Sequence, residues 1–401
     1  MSPSAAPPAG SAEVRARALR ASRWALLFGN FAIGCGVMVT VGSLNDLTRS
    51  LGISVAEGGR LIALAAATMC LSAPLAAGIV AGFDRRRLLS AALAWYALGH
   101  LLCAFAPDYG VLMVLRALTV LTASVFTPQA AAAMGVLAPP AQRGGAIGFV
   151  FLGWSLALVL GMPLHSWIGE TFGWRTAFAL VAVLAGVAAS WLWRVVPDGI
   201  RPPAVSASAW RELLTHPALM AVVAVTALQS AGQFGVQAYL APYYRQQLGA
   251  DATTISLLFF WTGLCGLIGN VLMTRRVDRL GPPRAVLLTL GAIAFSLAIW
   301  PLAGSPLAVA LVIVPWALGG FATSSAQQAR LSAAAPALAP ALLALNSSAI
   351  YLGHAAGSAS GGLIVAAQGY AGLAPVGLLW ILSAAGLSVW AERRLRRGRG
   401  A

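Results

Sequence analysis

Runs of about 20 apolar residues recur along the entire chain, and each is long enough to cross a bilayer as an α-helix. Twelve can be marked off, at approximately 24–44, 58–80, 88–106, 109–136, 144–168, 174–196, 217–241, 252–274, 285–303, 306–329, 340–366 and 371–390. They are continuous, rich in Ala and Leu, and too long for strands. Only 9% of the 401 residues are charged, against about a quarter in a soluble domain. That gap is too wide for a buried core to explain. The expected fold class is an all-α membrane protein with twelve transmembrane helices.

The net charge of +15 would suit a nucleic-acid binder. The positive residues are not gathered into a soluble domain, however, so no nucleic-acid partner is expected. All 26 basic residues are arginine. With the N-terminus placed inside, 21 of them fall on the side of both tails. Four fall on the other side (Arg49, Arg60, Arg175 and Arg245), and Arg116 lies within a span. This asymmetry predicts cytoplasmic termini and an even number of crossings. The longest polar link, 197–216, separates spans six and seven. The expected organisation is a disordered cytoplasmic tail (1–23), an N-terminal six-helix bundle (24–196), a cytoplasmic linker (197–216), a C-terminal six-helix bundle (217–391) and a basic cytoplasmic tail (392–401). A short surface helix is expected at Trp210–Leu214. No cleavable leader is expected, because the first apolar stretch is long enough to span and stay.

Two charged loops stand out. One reads Phe83-Asp84-Arg85-Arg86-Arg87-Leu88, the other Val277-Asp278-Arg279-Leu280-Gly281 followed by Pro282-Pro283-Arg284. Their aspartates are 194 residues apart, close to half the chain. A charged hairpin repeated at the half-length suggests two homologous bundles. The loops resemble the one between helices two and three of the major facilitator superfamily, with its pattern G-x-x-x-D-R-x-G-R-[KR], and the resemblance covers essentially the whole chain. The second copy keeps Asp278, Arg279 and Gly281. In the first, Arg85 and Arg86 align with the terminal basic pair. Ala81 and Gly82 stand where the family has Asp and Arg, and Asp84 takes the glycine position. The resemblance implies a conformational latch at these residues, complete only in the second copy.

Span five carries Gly153, Gly161 and Pro163, then Trp174-Arg175. This is similar to the motif of drug:proton antiporters and of the bacterial sugar (arabinose) efflux branch, with His165 where the family has glycine. Proline removes one backbone hydrogen bond and bends the helix, and the glycines allow close packing, so this helix suits a place facing the opposite half. Softer matches lie at Gln328–Leu331 and around Asn346 and Tyr351. The resemblance implies a non-enzymatic, monomeric secondary transporter of the bacterial cytoplasmic (inner) membrane. It would drive proton-coupled efflux of a drug, sugar or metabolite by alternating access. Its partners would be the solute, protons and lipid, with the proton gradient in place of a cofactor. A transporter-fold sensor or scaffold without turnover, and an uncoupled facilitator, stay open as alternatives.

Arg116 corresponds to the arginine of the family's fourth-helix motif R-x-x-Q-G, although Thr119 and Val120 replace Gln and Gly. A mid-membrane arginine costs about 2.5–3.5 kcal/mol on insertion scales and needs a partner or a wet cavity. Its expected role is to tune a proton-carrying group or to bind an anion; snorkelling to the surface is the alternative. No acid lies at the centre of a span. The proton-coupling candidates are therefore Asp46 at the end of span one, Arg116, and the histidines His165 and His354 in the corresponding spans five and eleven. His100 and His216 look peripheral. Gln229, Gln233 and Gln237 recur at four-residue spacing and share a helix face. With Asn30, Trp154, Gln327, Asn346 and Tyr351 they are candidates for a substrate cavity, or for hydrogen bonds between helices. The four cysteines have no metal-ligand spacing, and no phosphate loop is present.

Overall fold

The computed structural model describes residues 9–80, 82–139, 142–202 and 206–399. Among these, twelve long helices follow one another up and down: α1 (Ala9–Gly42), α2 (Val55–Ile79), α3 (Arg85–Ala104), α4 (Tyr109–Leu137), α5 (Arg143–Phe172), α6 (Trp174–Val195), α7 (Pro217–Gln237), α8 (Ala252–Leu280), α9 (Pro282–Ala298), α10 (Pro306–Ala334), α11 (Ala339–Gln368) and α12 (Leu373–Arg399). Eleven are long and apolar enough to cross a membrane, and α9, with 17 residues, sits at the lower limit. All twelve expected spans are present. Because the helices alternate in direction, both ends of the chain lie on one face, called here the terminal face. The opposite one is the far face.

Local chemistry sets the helix starts. Asp84, Asp108, Asp251 and Ser305 each accept a hydrogen bond from the backbone N–H three residues on, which satisfies a donor the first turn leaves open. These caps explain how a chain with few polar residues turns abruptly between apolar runs. Three expectations change in detail. The N-terminal tail is helical from Ala9; the Ala- and Arg-rich stretch after Gly10 has no further glycine or proline before Gly29 and a high helical preference. Residues 1–8, also assigned to that tail, lie outside the described residues. The C-terminal tail continues α12 to Arg399, where Glu392 and Arg396 pair one turn apart at 2.9 Å. The linker helix covers Ala207–Thr215.

The first six helices enclose one apolar core and the last six a second, with a smaller third cluster where Leu213 of the linker helix packs against α7, α10, α11 and α12. Met38, Val41, Leu44, Ile62 and Met162 of the first half pack into the second core, and these residues lie toward the far face. The halves meet along α2–α11 and α5–α8. Within α5 the ladder loosens into a π-helical turn at Ala157–Gly161, just before Pro163. A Cβ on Gly263 of α8 would lie 2.7 Å from Val159 Cα. The sequence places a glycine in α8 where the bulged turn of α5 presses in. Helix α5 thus faces the opposite half, as its Gly/Pro pattern suggests.

Candidate functional site: a cavity between the halves

A narrow cavity of about 10 Å³, room for roughly one water molecule and partly open to the outside, lies between the two bundles near their middle. Val37, Thr40, Ile62, Met69, Arg116 and Val120 line it from the first half; Phe234, Tyr351 and His354 line it from the second. Among the described residues, Arg116 is the one lining residue with a permanent charge, and no carboxylate lines the cavity.

Arg116 is 1% exposed, which excludes snorkelling. Nη2 donates to the Gly36 carbonyl at 2.9 Å, and Nη1 lies 3.0 Å from His100 Nε2. His100 Nδ1 is 2.9 Å from the Tyr96 carbonyl. A carbonyl only accepts, so Nδ1 carries the ring hydrogen, and the bare Nε2 accepts from the guanidinium. The Phe178 ring lies 5.5 Å away and adds a cation–π contact. His100 is therefore fully buried behind Arg116, which corrects its peripheral placement. The sequence held one signal for this: His100 and Arg116 each lie within about two turns of the short link joining α3 and α4, so they share a depth.

His354 is stacked on Phe234 with ring centroids 4.0 Å apart and is edge-on to Tyr351. His165, one helix behind the cavity wall, is fully buried. Neither of its ring nitrogens has a hydrogen-bond partner, and the Thr40 and Ser166 hydroxyls are also without one. Its backbone carbonyl accepts from Ser43, just past the end of α1. Arg116 and His354 thus share the cavity, with His165 behind it.

Asp46 lies elsewhere. It accepts from the Trp174 backbone N–H at 2.7 Å and pairs with Arg49 at 2.6 Å, which ties the α1 end to the start of α6 on the far face. The polar candidates also divide. Tyr351 lines the central cavity, and Gln237 lines a second hollow between α5 and α8. Gln229 bonds to Gln233. Asn30 bridges Val150 and Thr127, and Trp154 also donates to Thr127. Gln327 donates to Val222 and Thr226, and Thr226 donates to Asn346. These amides mostly join helices within one half.

The charged loops behave unequally. Asp84 accepts from Gly199 N–H at 2.6 Å as well as capping α3. Burial pushes its carboxyl up, but the backbone N–H groups of Arg87, Gly199 and Arg86 outweigh this and hold it below the usual aspartate range. Arg85 donates to the Val80 and Phe83 carbonyls. Arg86 pairs with Asp198 at 2.8 Å and lies over Trp193. The first loop is thus docked on the end of α6. Asp278 and Arg279 are exposed and have no ion-pair partner among the described residues; Gly281 supplies the turn at φ +80°. The more family-like copy is the untied one here. Ala81 lies outside the described residues.

Reading residues alone missed the far-face closure. Glu170 at the end of α5 has a side chain 3% exposed and meets Arg245 of the other half at 2.6 Å. Asn45 donates both to Glu170 at 2.7 Å and across the gap to the Ala241 carbonyl at 3.1 Å. Ser256 donates to the Pro163 carbonyl, and Ser358 to the Gly59 carbonyl. Among the described residues, all hydrogen bonds and ion pairs between the halves lie toward the far face. The scarcity of arginine on that side was the available signal for Arg245.

Comparison with known proteins adds the following. The family model described as "Major Facilitator Superfamily" matches residues 26–358 and 222–400. A protein of Mannheimia succiniciproducens described as "Probable sugar efflux transporter" is 29% identical over 355 residues, covering 88% of this chain and 89% of its own. The "Inner membrane transport protein YdhP" of Escherichia coli is 29% identical over 345 residues, covering 86% and 88%. The "Transcription regulatory protein OpdE" of Pseudomonas aeruginosa is 28% identical over 367 residues, covering 90% and 91%. In fold, the chain is similar to the crystal structure of a bacterial homologue of the human lysosomal transporter Spinster in an inward-facing, unoccupied conformation. The TM-score is 0.73 at 17% identity, over 96% of this chain and 98% of that one.

Proposed function

Since the chain belongs to the major facilitator superfamily and is a membrane transporter, we propose that it exports a small organic solute from the cytoplasm in exchange for protons. The observation that carries this reading is a cavity lined by both halves, with the bonds between halves confined to the face away from the termini. Two bundles that rock about such a cavity expose it to one side at a time. The arginine asymmetry supports cytoplasmic termini, so the far face is periplasmic and the structure is the inward-facing state. The names of the Mannheimia and Escherichia relatives support efflux and the inner membrane.

Proton coupling needs a group that titrates as solvent access alternates. With no carboxylate on the cavity wall, that part falls to His354, in the cavity, and His165, whose two ring nitrogens await a partner. Arg116 supplies a fixed positive charge beside them. Asp46 is engaged in holding α1 to α6. The docked loop around Asp84 acts as a hinge support for the first half, and the loop at Asp278–Gly281 is the latch released in this state.

The test is uptake into inverted vesicles under an imposed pH gradient, across a panel of sugars, drugs and metabolites. Gradient-dependent accumulation is expected; its absence throughout the panel would sink the reading. The name of the Pseudomonas relative favours one other reading, a sensor that keeps the fold without turnover. Solute counterflow in vesicles separates the two, because a sensor binds without exchange.

A further inference from the structure

We propose that the solute is an organic monoanion, a carboxylate with an apolar body, whose charge is taken by Arg116. This deepens the export reading and rests on it for the cavity being the transport site.

Arg116 is a permanent charge withdrawn from water with only neutral partners. Two of its five N–H groups are used, by His100 Nε2 and the Gly36 carbonyl. Nε has no partner, and among the described residues no Asp or Glu pairs with it. The His100 contact takes up a lone pair and leaves the charge in place. An uncompensated buried cation is strongly disfavoured in a medium of low dielectric constant, so the wall of this cavity is poised for a negative ligand. A guanidinium fork matches a carboxylate in shape. The Thr40 hydroxyl, buried at the same wall without a hydrogen-bond partner, can add a donor.

The remaining lining decides which anion. Val37, Ile62, Met69, Val120 and Phe234 present hydrocarbon, and His354 presents a ring already stacked on Phe234. Once the halves part far enough to admit a solute, these walls compensate the lost hydration of an apolar body. They offer nothing to a small inorganic anion, which would surrender its water shell for one arginine. They also lack the dense array of donors and acceptors that a neutral sugar needs for its hydroxyls, because the amides that could have served are mostly engaged between helices.

The experiment uses the full-length chain in detergent, free of any gradient, and follows ligand-induced thermal stabilisation. The probes are a series of aromatic and aliphatic monocarboxylates, each paired with its neutral amide, and chloride alone. Selective stabilisation by at least one acid over its amide, not reproduced by chloride, supports the proposal. Equal stabilisation by acid and amide, stabilisation by chloride to the same extent, or no response to any acid overturns it. This comparison needs no variant and survives if Arg116 is required for folding. If Arg116→Gln folds, its affinity for the responsive acid should fall about ten- to hundredfold, the loss expected for a charge-assisted hydrogen bond; unchanged affinity overturns the proposal. Acid binding without gradient-driven flux would defeat the export reading alone. Gradient-driven flux of neutral solutes, unchanged in Arg116→Gln, would defeat this inference alone.

Discussion

At the scale of single residues, the structure turns on a few polar side chains placed where water is scarce. Glu170 is the sharpest case. One carboxylate holds an arginine of the other half and an asparagine of its own. Glu170→Gln should favour the state open at the far face by about 1–3 kcal/mol. That is below the range for breaking a fully buried pair, because Arg245 is 38% exposed and partly screened. Distance measurements between spin labels on the α1–α2 and α7–α8 links would show a longer population; an unchanged distribution would remove Glu170 from the closure. Asp84 gives a prediction in pH. Its folded carboxyl lies below the usual range, so its contribution is complete above the unfolded value of about 4 and is lost as pH falls through the folded value. Asp84→Ala should lower stability by roughly 0.5–2 kcal/mol, the worth of a helix cap. The thermal-unfolding difference from wild type should hold steady from about pH 7 to 5 and shrink below about 4. The sequence announced Arg116, because a lone arginine in an apolar run is conspicuous. For His100 it gave only a shared depth with Arg116, and it could not announce that Glu170 finds Arg245. That pair joins segments of opposite halves that become neighbours only in the folded bundle.

At the scale of elements, the helices were legible because bilayer thickness imposes a length and few charged residues interrupt the runs. Their exact ends were less so, since caps and chain continuity decide them: α1 reaches back to Ala9 and α12 on to Arg399. Small residues set how closely helices approach. A Cβ on Gly357 would lie 2.3 Å from the Ala231 carbonyl of α7, while one on Gly386 of α12 would meet nothing within 4 Å. Gly357→Val should therefore force α11 away from α7 and destabilise by about 1–3 kcal/mol, the usual result of overpacking, and Gly386→Ala should be close to neutral. Thermal unfolding of the two variants checks the contrast. The glycine spacing in α11 was readable as close packing. The partner was not, because α7 lies four helices away in sequence.

At the scale of the whole molecule, the two halves repeat a pattern and diverge in its details. The first loop is tied to α6 through Asp84 and Arg86, and the second is unpaired. The asymmetry predicts that neutralising Asp278 leaves the state closed at the far face stable and weakens only the opposite state, in which the latch would engage. Slowed transport with an unchanged unfolding temperature in Asp278→Asn would agree with this, and a large loss of stability would contradict it. The central cavity has a further consequence. A carrier whose pathway holds one fixed positive charge is cationic when empty and neutral when it holds a monoanion. The membrane voltage would then act on the return of the solute-free carrier, to whose charge a bound proton only adds, by at most about 2.3 kcal/mol per elementary charge per 100 mV if the charge crossed the full field, and would spare the loaded step. Capacitive currents on a supported membrane should accordingly accompany reorientation of the solute-free protein and vanish at saturating solute, so that Arg116 would make this transporter a voltmeter of its own occupancy.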